Sequence, residues 1–344
     1  MQAKKSIHEI ASIAGVSAAT VSRALHNPSM VKKETLERVL KIVEQTNFVS
    51  NAQARSFRQQ TTRTVVLLVR DISNPFYLEI FKGVEEAASD AGYKVLMADA
   101  RNDEARVKSY IDLVRQRQAD GVIVMLGSLP FDVAAHIDRS TPIVVASEAL
   151  PDVDLPTVRI DNVAAAREAV QYLIAQGHRS IAHIGGLPAD YLGQERRKGY
   201  ELALADAGIA IDPELIVSGD FSITAGREAA SRLLDRGARF TAIFASSDQM
   251  AIGAIGALRQ QGFSVPADIS VIGFDDIILA EAFEPPLTTV RQPRLEMGRK
   301  AMQLMIGRLE HQDLPSVHEF KTRLVVRASV AAPRGAIIEQ RLGA

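Results

Sequence analysis

Apolar positions follow two regimes along this chain. Up to about residue 45 they recur at helical spacing in short blocks, and from Thr64 onward they gather into continuous runs separated by amphipathic stretches. In the first regime Ile7, Ile10, Ala11 and Ala14 form one face of a helix from Ser6 to Ala14. Ser6 stands at its N-cap, with Glu9 three residues on as capping-box partner. Gly15-Val16-Ser17 breaks it: Gly15 accepts the positive φ of a tight interhelical turn, and Ser17 can cap a second helix running through Thr20 to about Leu25. Two short helices three residues apart predict a helix-turn-helix. A third helix, about Lys33 to Gln45, carries Leu36, Val39, Leu40 and Val43 to close a small core.

The second regime predicts alternating strands and helices: VVLLV (65–69), a helix over about 77–91, KVLMAD (94–99), a helix over about 104–117, GVIVML (121–126) and PIVVAS (142–147). The series repeats with SIAHIGG (180–186), ELIVSGDF (214–221), TAIFASSD (241–248) and SVIGFDD (270–276). Apolar strands interleaved with amphipathic helices predict doubly wound parallel sheets, here two similar lobes with a ligand cleft where strand C-termini meet. The expected fold class is thus a small all-α helix-turn-helix head plus an α/β core of two doubly wound parallel-sheet lobes.

Between the regimes, SNAQARSFRQQTTR (50–63) is polar and basic, with only Ala52, Ala54 and Phe57 apolar, and reads as a linker. The whole chain carries −1, yet residues 1–60 hold nine Lys or Arg against four Glu, a surplus of five positive charges on the head. A basic head on an acidic body suits phosphate contact through the head. The 344 residues contain no cysteine, which removes disulfides, thiolate metal sites and cysteine catalysis, and fits a reducing compartment. The N-terminal stretch lacks the apolar core of a signal peptide and no apolar run reaches membrane-spanning length, so a cytoplasmic protein with no membrane partner is expected.

A helix that enters the major groove needs short side chains for close approach, hydroxyls for phosphates and a few long groups for base edges. Ser17, Thr20 and Ser22 supply hydroxyls, Ala18 and Ala19 offer methyl contacts, and Arg23 has the fork for guanine. In the core, loops after strands hold Asn74, Phe76 and Tyr77, then Ser128, then Ser147 and Glu148. An aromatic ring there can stack on a base or a sugar face. Asp161, Asp248 and Asp276 read equally as helix caps, crossover bridges or ligand contacts, and Phe76 and Phe221 can be plain core. The seven histidines show no metal-ligand spacing, and GGLPAD and GSLPFD lack the ending of a phosphate loop. No catalytic residue, metal or cofactor is therefore expected, and an enzyme is not the reading.

The head VSAATVSRALHNP, the segment DISNPFYLEI, and GHRSIAHIGG, ASSDQMAIGAI, VPADISVIGFDD and PPLTTVRQP together resemble the lactose-repressor (LacI) family of bacterial regulators. GSLPFD and ASEALPDVDLPTVRIDN look most like its nucleoside-responsive, cytidine-repressor branch. The resemblance implies a periplasmic-binding-protein-like core with crossovers near Asn162, Val290 to Gln292, and Phe320. It implies a DNA-binding head at 1–49 and a hinge at 50–63. One lobe would be 64–162 with 291–320, the other 163–290 with 321–333, leaving a tail at 334–344.

On the recognition helix the resemblance adds His26 to the DNA-facing set. In the hinge it makes Phe57 a minor-groove wedge, where the family usually has leucine, flanked by Arg55 and Arg58. Phe57 packing onto the core is the plainer alternative. Ser50 stands where the family often has proline. In the cleft, Arg196, Phe221, Ser247 and Asp275 match positions that face the effector. The expected partners are palindromic double-stranded operator DNA, a small-molecule effector, nucleoside or pentose, and a second copy of the chain. RGAIIEQRLGA at the end is too short for a tetramer-forming bundle, which favours a homodimer. The rival is a solute-binding protein with the same two lobes and no DNA function. The helix-turn-helix argues against it.

Overall fold

The computed structural model describes residues 5–46, 48, 61–135, 137, 141–150 and 153–334. They belong to two units, Met1–Thr62 and Arg63–Ala344, each with apolar cores of its own. The basic hinge with Arg55, Phe57 and Arg58, and the tail from residue 335, lie outside the described residues.

In the first unit α1 is Ile7–Ala14, α2 Ala18–His26 and α3 Lys33–Gln45. The capping box forms as the sequence predicts: the Glu9 amide donates to Ser6 Oγ at 3.3 Å and the Ser6 amide to the Glu9 carboxylate at 2.5 Å. Gly15 turns the chain at φ 64°, and the Thr20 amide donates to the Ser17 hydroxyl at 3.1 Å, starting α2. Ile10, Val21 and Val39 are completely buried where the three helices meet. Leu40 departs from expectation and is 44% exposed. Ile42 packs into the core with Leu36 and Val43 instead, because these residues bracket Val39 and leave Leu40, about 100° round the helix, on the outer flank.

The second unit opens with β1 (Thr64–Val69), α4 (Phe76–Asp90), β2 (Lys94–Asp99), α5 (Glu104–Arg115), β3 (Gly121–Met125), α6 (Phe131–Ala134), β4 (Ile143–Ala146) and β5 (Thr157–Ile160). It continues through α7 (Asn162–Ala175), β6 (Ile181–Gly185), α8 (Tyr191–Asp206), β7 (Ile216–Ser218), α9 (Ile223–Asp235), β8 (Ala242–Ala245), α10 (Asp248–Gln260), β9 (Ser270–Ile272) and α11 (Ile278–Ala282). Then follow β10 (Thr289–Arg291), α12 (Arg294–Leu309), β11 (Val317–Phe320) and β12 (Arg323–Val325).

Six strands make one sheet in the order β11-β5-β4-β3-β1-β2, and four make another in the order β7-β6-β8-β9. Neighbours within both are parallel, with Val65 facing Val95 on one side and Gly121 on the other. β10 and β12 pair antiparallel, Val290 opposite Leu324. The strand order reverses between β1 and β3 in the first sheet and between β6 and β8 in the second, so each sheet has a crevice beyond those strand ends. β5 and β11 are strands that the hydrophobic pattern does not announce. Both are four residues long, and β11 alternates exposed and half-buried positions at the sheet edge, leaving no apolar run to read. α5 ends at Arg115, two residues before the expected limit.

One apolar cluster joins Leu67, Ile123 and Val158 of the first sheet to Phe244 and Ile272 of the second. Helix pairs close on glycine. A Cβ on Gly83 of α4 would meet the Leu295 carbonyl oxygen at 2.0 Å, and one on Gly298 of α12 the Ile80 carbonyl oxygen at 2.1 Å. Gly226 and Gly253 hold α9 and α10 together in the same reciprocal manner. No helix among the described residues is long and apolar enough to cross a membrane. Gly298→Ala should therefore force α4 and α12 apart and cost about 1–3 kcal/mol in urea unfolding. Gly256→Ala, with open space around its Cβ, should be neutral or slightly stabilising. Equal effects of the two substitutions would contradict the packing argument.

Candidate functional site

In the head, α2 turns Val21 and Ala24 into the core and leaves Ala19 and Arg23 exposed, with Thr20 and Ser22 half-buried beside them. Ala18 is half-buried and packs on the head core, so of the two alanines only Ala19 offers a free methyl. The hydroxyls of Ser17 and Thr20 lie 2.9 Å apart in a mutual hydrogen bond, which fixes both at the helix start. The His26 side chain lies outside the described residues. The exposed strip is short-chained with one guanidinium, the composition that lets a helix approach a groove.

In the core, loops from the carboxyl ends of both sheets converge on one cavity with about 710 Å³ of atom-free space, part of it open to solvent. Asn74, Phe76, Tyr77, Ser147 and Glu148 reach it from the first sheet, and Arg196, Phe221 and Asp275 from the second. The Phe76 amide donates to Asn74 Oδ1 at 2.9 Å in the turn that leads into α4, and Phe76 and Tyr77 meet edge to face, 5.4 Å between ring centroids. Phe221 sits across from Arg70, whose guanidinium carbon is 5.6 Å from its ring centroid. A Cβ on Gly186 would lie 2.7 Å from the Phe221 ring, so only glycine seats it.

Ser147, Phe221 and Asp275 have φ of 65°, 71° and 116°, a region that side-chain-bearing residues seldom occupy. Such strain concentrates at ligand sites, where fixing side-chain direction outweighs the cost of about 1–3 kcal/mol for each residue.

Two guanidiniums organise the charge. Arg196 is buried, its guanidinium carbon 3.8 Å from the Phe274 ring centroid. It donates to Asn162 Oδ1 at 3.0 Å and the Ser246 carbonyl at 2.5 Å, with Asp275 Oδ1 at 3.5 Å. Gln292 donates to that same Asp275 oxygen at 2.8 Å. Arg70, just beyond β1, donates to both oxygens of Asp190 at 2.9 and 3.1 Å and to Glu148 Oε1 at 3.2 Å. Burial pushes the Glu148 carboxyl up to about 7 against the pull of Arg70, and pushes Asp275 up to about 6 against Arg196. Burial works against the Arg70 charge, but Glu148 and Asp190 more than offset it and hold Arg70 protonated.

Residues 6–51 match the family model for bacterial regulatory proteins of the lacI family, and residues 62–323 match that for periplasmic binding proteins and the sugar binding domain of the LacI family. The HTH-type transcriptional repressor CytR of Escherichia coli (strain K12) is 40% identical over 339 residues, 96% of this chain and 99% of that one. The chain belongs to the LacI family. Two solved structures share its fold. The transcriptional regulator CelR in complex with cellobiose is 33% identical, with TM-score 0.72 over 95% of this chain and all of that one. The lac repressor dimer on operator is 24% identical, with TM-score 0.84 over 96% of this chain and all of that one, a likeness of fold alone. The protein is a DNA-binding transcription regulator.

Two of this LacI-family regulator's expected effector residues fall elsewhere. Ser247 does not line the cavity: its hydroxyl accepts the Met250 amide at 3.1 Å to cap α10 and lies 3.4 Å from the Phe221 carbonyl oxygen, an acceptor for its proton. Ser128 lines an adjoining cavity that shares Arg70 with the first. Of the three ambiguous aspartates, Asp161 caps α7 through the Ala164 amide at 2.8 Å. Asp248 bridges α10 to the Ile277 amide and the Thr289 hydroxyl, and Asp276 pairs with Arg291 and Arg327. The sequence pattern does not single out Arg70, nor Asp71 beside it, nor Asp220 and Gln249 beyond β7 and β8. The signal for Arg70 was its place directly after the last apolar residue of β1.

The raised Glu148 value makes a pH prediction. The native state holds this proton more tightly than the unfolded chain, whose ordinary value is 4.5, so the stability it contributes is whole below about pH 4.5 and lost as pH rises through about 7. Urea unfolding between pH 5 and 8 should show stability falling, and Glu148→Gln should flatten that fall by on the order of 1 kcal/mol or more. An unchanged slope in the variant would mean that Glu148 is ionised throughout.

Proposed function

We propose that this regulator is a repressor whose hold on a palindromic operator is released by a nucleoside bound in the cleft. The observation that carries the ligand class is the pairing of two kinds of contact in one cavity. Aromatic rings, Phe221 from one sheet and Phe76 and Tyr77 from the other, offer faces for a base. The Arg196–Asp275 pair, with Gln292 behind it, offers a donor and an acceptor for vicinal hydroxyls. A ribose with a stacked base engages both.

A homodimer presents two heads to the two half-sites of a palindrome, and Ala19, Thr20, Ser22 and Arg23 face its major groove. Phe57, with Arg55 and Arg58, enters the minor groove between them. The lobes divide as residues 64–162 with 291–320 and 163–290 with 321–333. A sugar effector is the second reading, favoured by the family model's sugar-binding description and by the relative whose structure holds cellobiose.

Calorimetric titration with adenosine, cytidine, inosine, guanosine, ribose and hypoxanthine separates the two. A nucleoside should bind and ribose should not. Phe221→Ala and Asp275→Asn should each weaken the nucleoside at least about tenfold, some 1.4 kcal/mol. The bound nucleoside should lower affinity for operator DNA. Binding of ribose alone would leave the regulator standing with a sugar as its signal.

A further inference from the structure

Phosphate is best held by a free guanidinium fork or by open helix N-terminal amides, and this cleft restricts both. Arg70 and Arg196 are the arginines among its lining residues, and each is already engaged. Arg70 gives both terminal nitrogens to Asp190 and Glu148, and Arg196 commits Nε to Asn162 and Nη1 to the Ser246 carbonyl and Asp275, which leaves Nη2 to serve a hydroxyl but no two-nitrogen fork for phosphate. Asp71 and Asp220 add further negative charge to the lining. Three of the helix starts that face it are covered by side chains: Asn74 takes the Phe76 amide, Ser222 the Ala225 amide and Ser247 the Met250 amide.

Asp190 breaks this capping pattern. It stands at the N-cap of α8, where an aspartate ordinarily accepts the helix's own amides, a bond worth about 1 kcal/mol. Its side chain caps nothing and turns instead to Arg70, 120 residues away in the chain and on the other sheet, making a bidentate pair. A carboxylate that forgoes its local bond for a distant guanidinium takes that guanidinium out of reach of any other anion.

We propose that Asp190 sets the charge selectivity of the effector cleft by capturing Arg70, so that the cleft accepts free nucleosides and refuses their 5′-phosphates. This rests on the nucleoside reading for the identity of the neutral ligand. The mechanism does not: any phosphorylated small molecule meets the same occupied arginines.

The test compares the full-length protein with Asp190→Asn and Asp190→Ser; serine removes the charge and supplies the missing cap, so it guards against a fold lost through asparagine. Each is titrated with cytidine and cytidine 5′-monophosphate, with ribose and ribose 5-phosphate, and with inorganic phosphate followed by thermal shift. The wild type should prefer the neutral member of whichever pair binds by about a hundredfold or more and show no thermal response to phosphate. Both variants should narrow that preference at least about tenfold and be stabilised by inorganic phosphate, and adding Arg70→Gln should abolish the gain. Wild type that binds the monophosphate as tightly as the nucleoside, or variants with unchanged preference and no phosphate response, would overturn the proposal. Wild type that binds no nucleoside would sink the nucleoside reading, while the ribose pair and the phosphate response would still decide the role of Asp190.

Discussion

A guanidinium that loses its water must find acceptors inside the protein, because leaving it unpaired costs several kcal/mol. The cleft is arranged around two such groups. Arg196 lies on α8, and its partners come from the start of α7, the end of β8 and the turn after β9, so one side chain fixes three strand ends relative to one another. Arg70 performs the equivalent task between sheets, joining the end of β1 to Asp190 ahead of α8 and to Glu148 after β4. The raised Glu148 and Asp275 values follow from the same desolvation: more buried carboxylate is present than the two arginines fully compensate.

The sheets supply the frame. Their strand orders place a crevice beyond β1 and β3 in one and beyond β6 and β8 in the other, which is why residues far apart in the chain meet at one cavity. The loops that cross it are held in unfavourable backbone conformations at Ser147, Phe221 and Asp275, and glycine at 186 leaves room for the Phe221 ring. Rigid placement of these side chains fixes the directions from which the cleft can contact a small ligand.

The elements with strong periodicity were legible in the sequence. The capping box at Ser6 and Glu9, the left-handed Gly15 and the buried runs of β1, β3 and β8 each follow from local chemistry. β5 and β11 were not, since each is short and β11 is half-solvated, its place set by pairing with a partner more than 150 residues away. Leu40 was misplaced because helical spacing alone leaves the edge of an apolar face uncertain by one residue. The capping role of Ser247 is not legible in the sequence, because a serine capping a helix at a strand end and a serine facing a ligand have the same sequence context. Arg70 and Asp190 escaped notice as a pair for a different reason: nothing local announces an ion pair that closes across 120 residues.

Linkage makes the coupling between the effector cleft and the DNA-binding head reciprocal. The decisive measurement is nucleoside affinity by calorimetry with and without saturating operator duplex, set beside operator affinity with and without saturating nucleoside. The two ratios should agree, and each partner should weaken the other. A nucleoside that binds the cleft with the same affinity whether or not the operator is present would rule out the coupling.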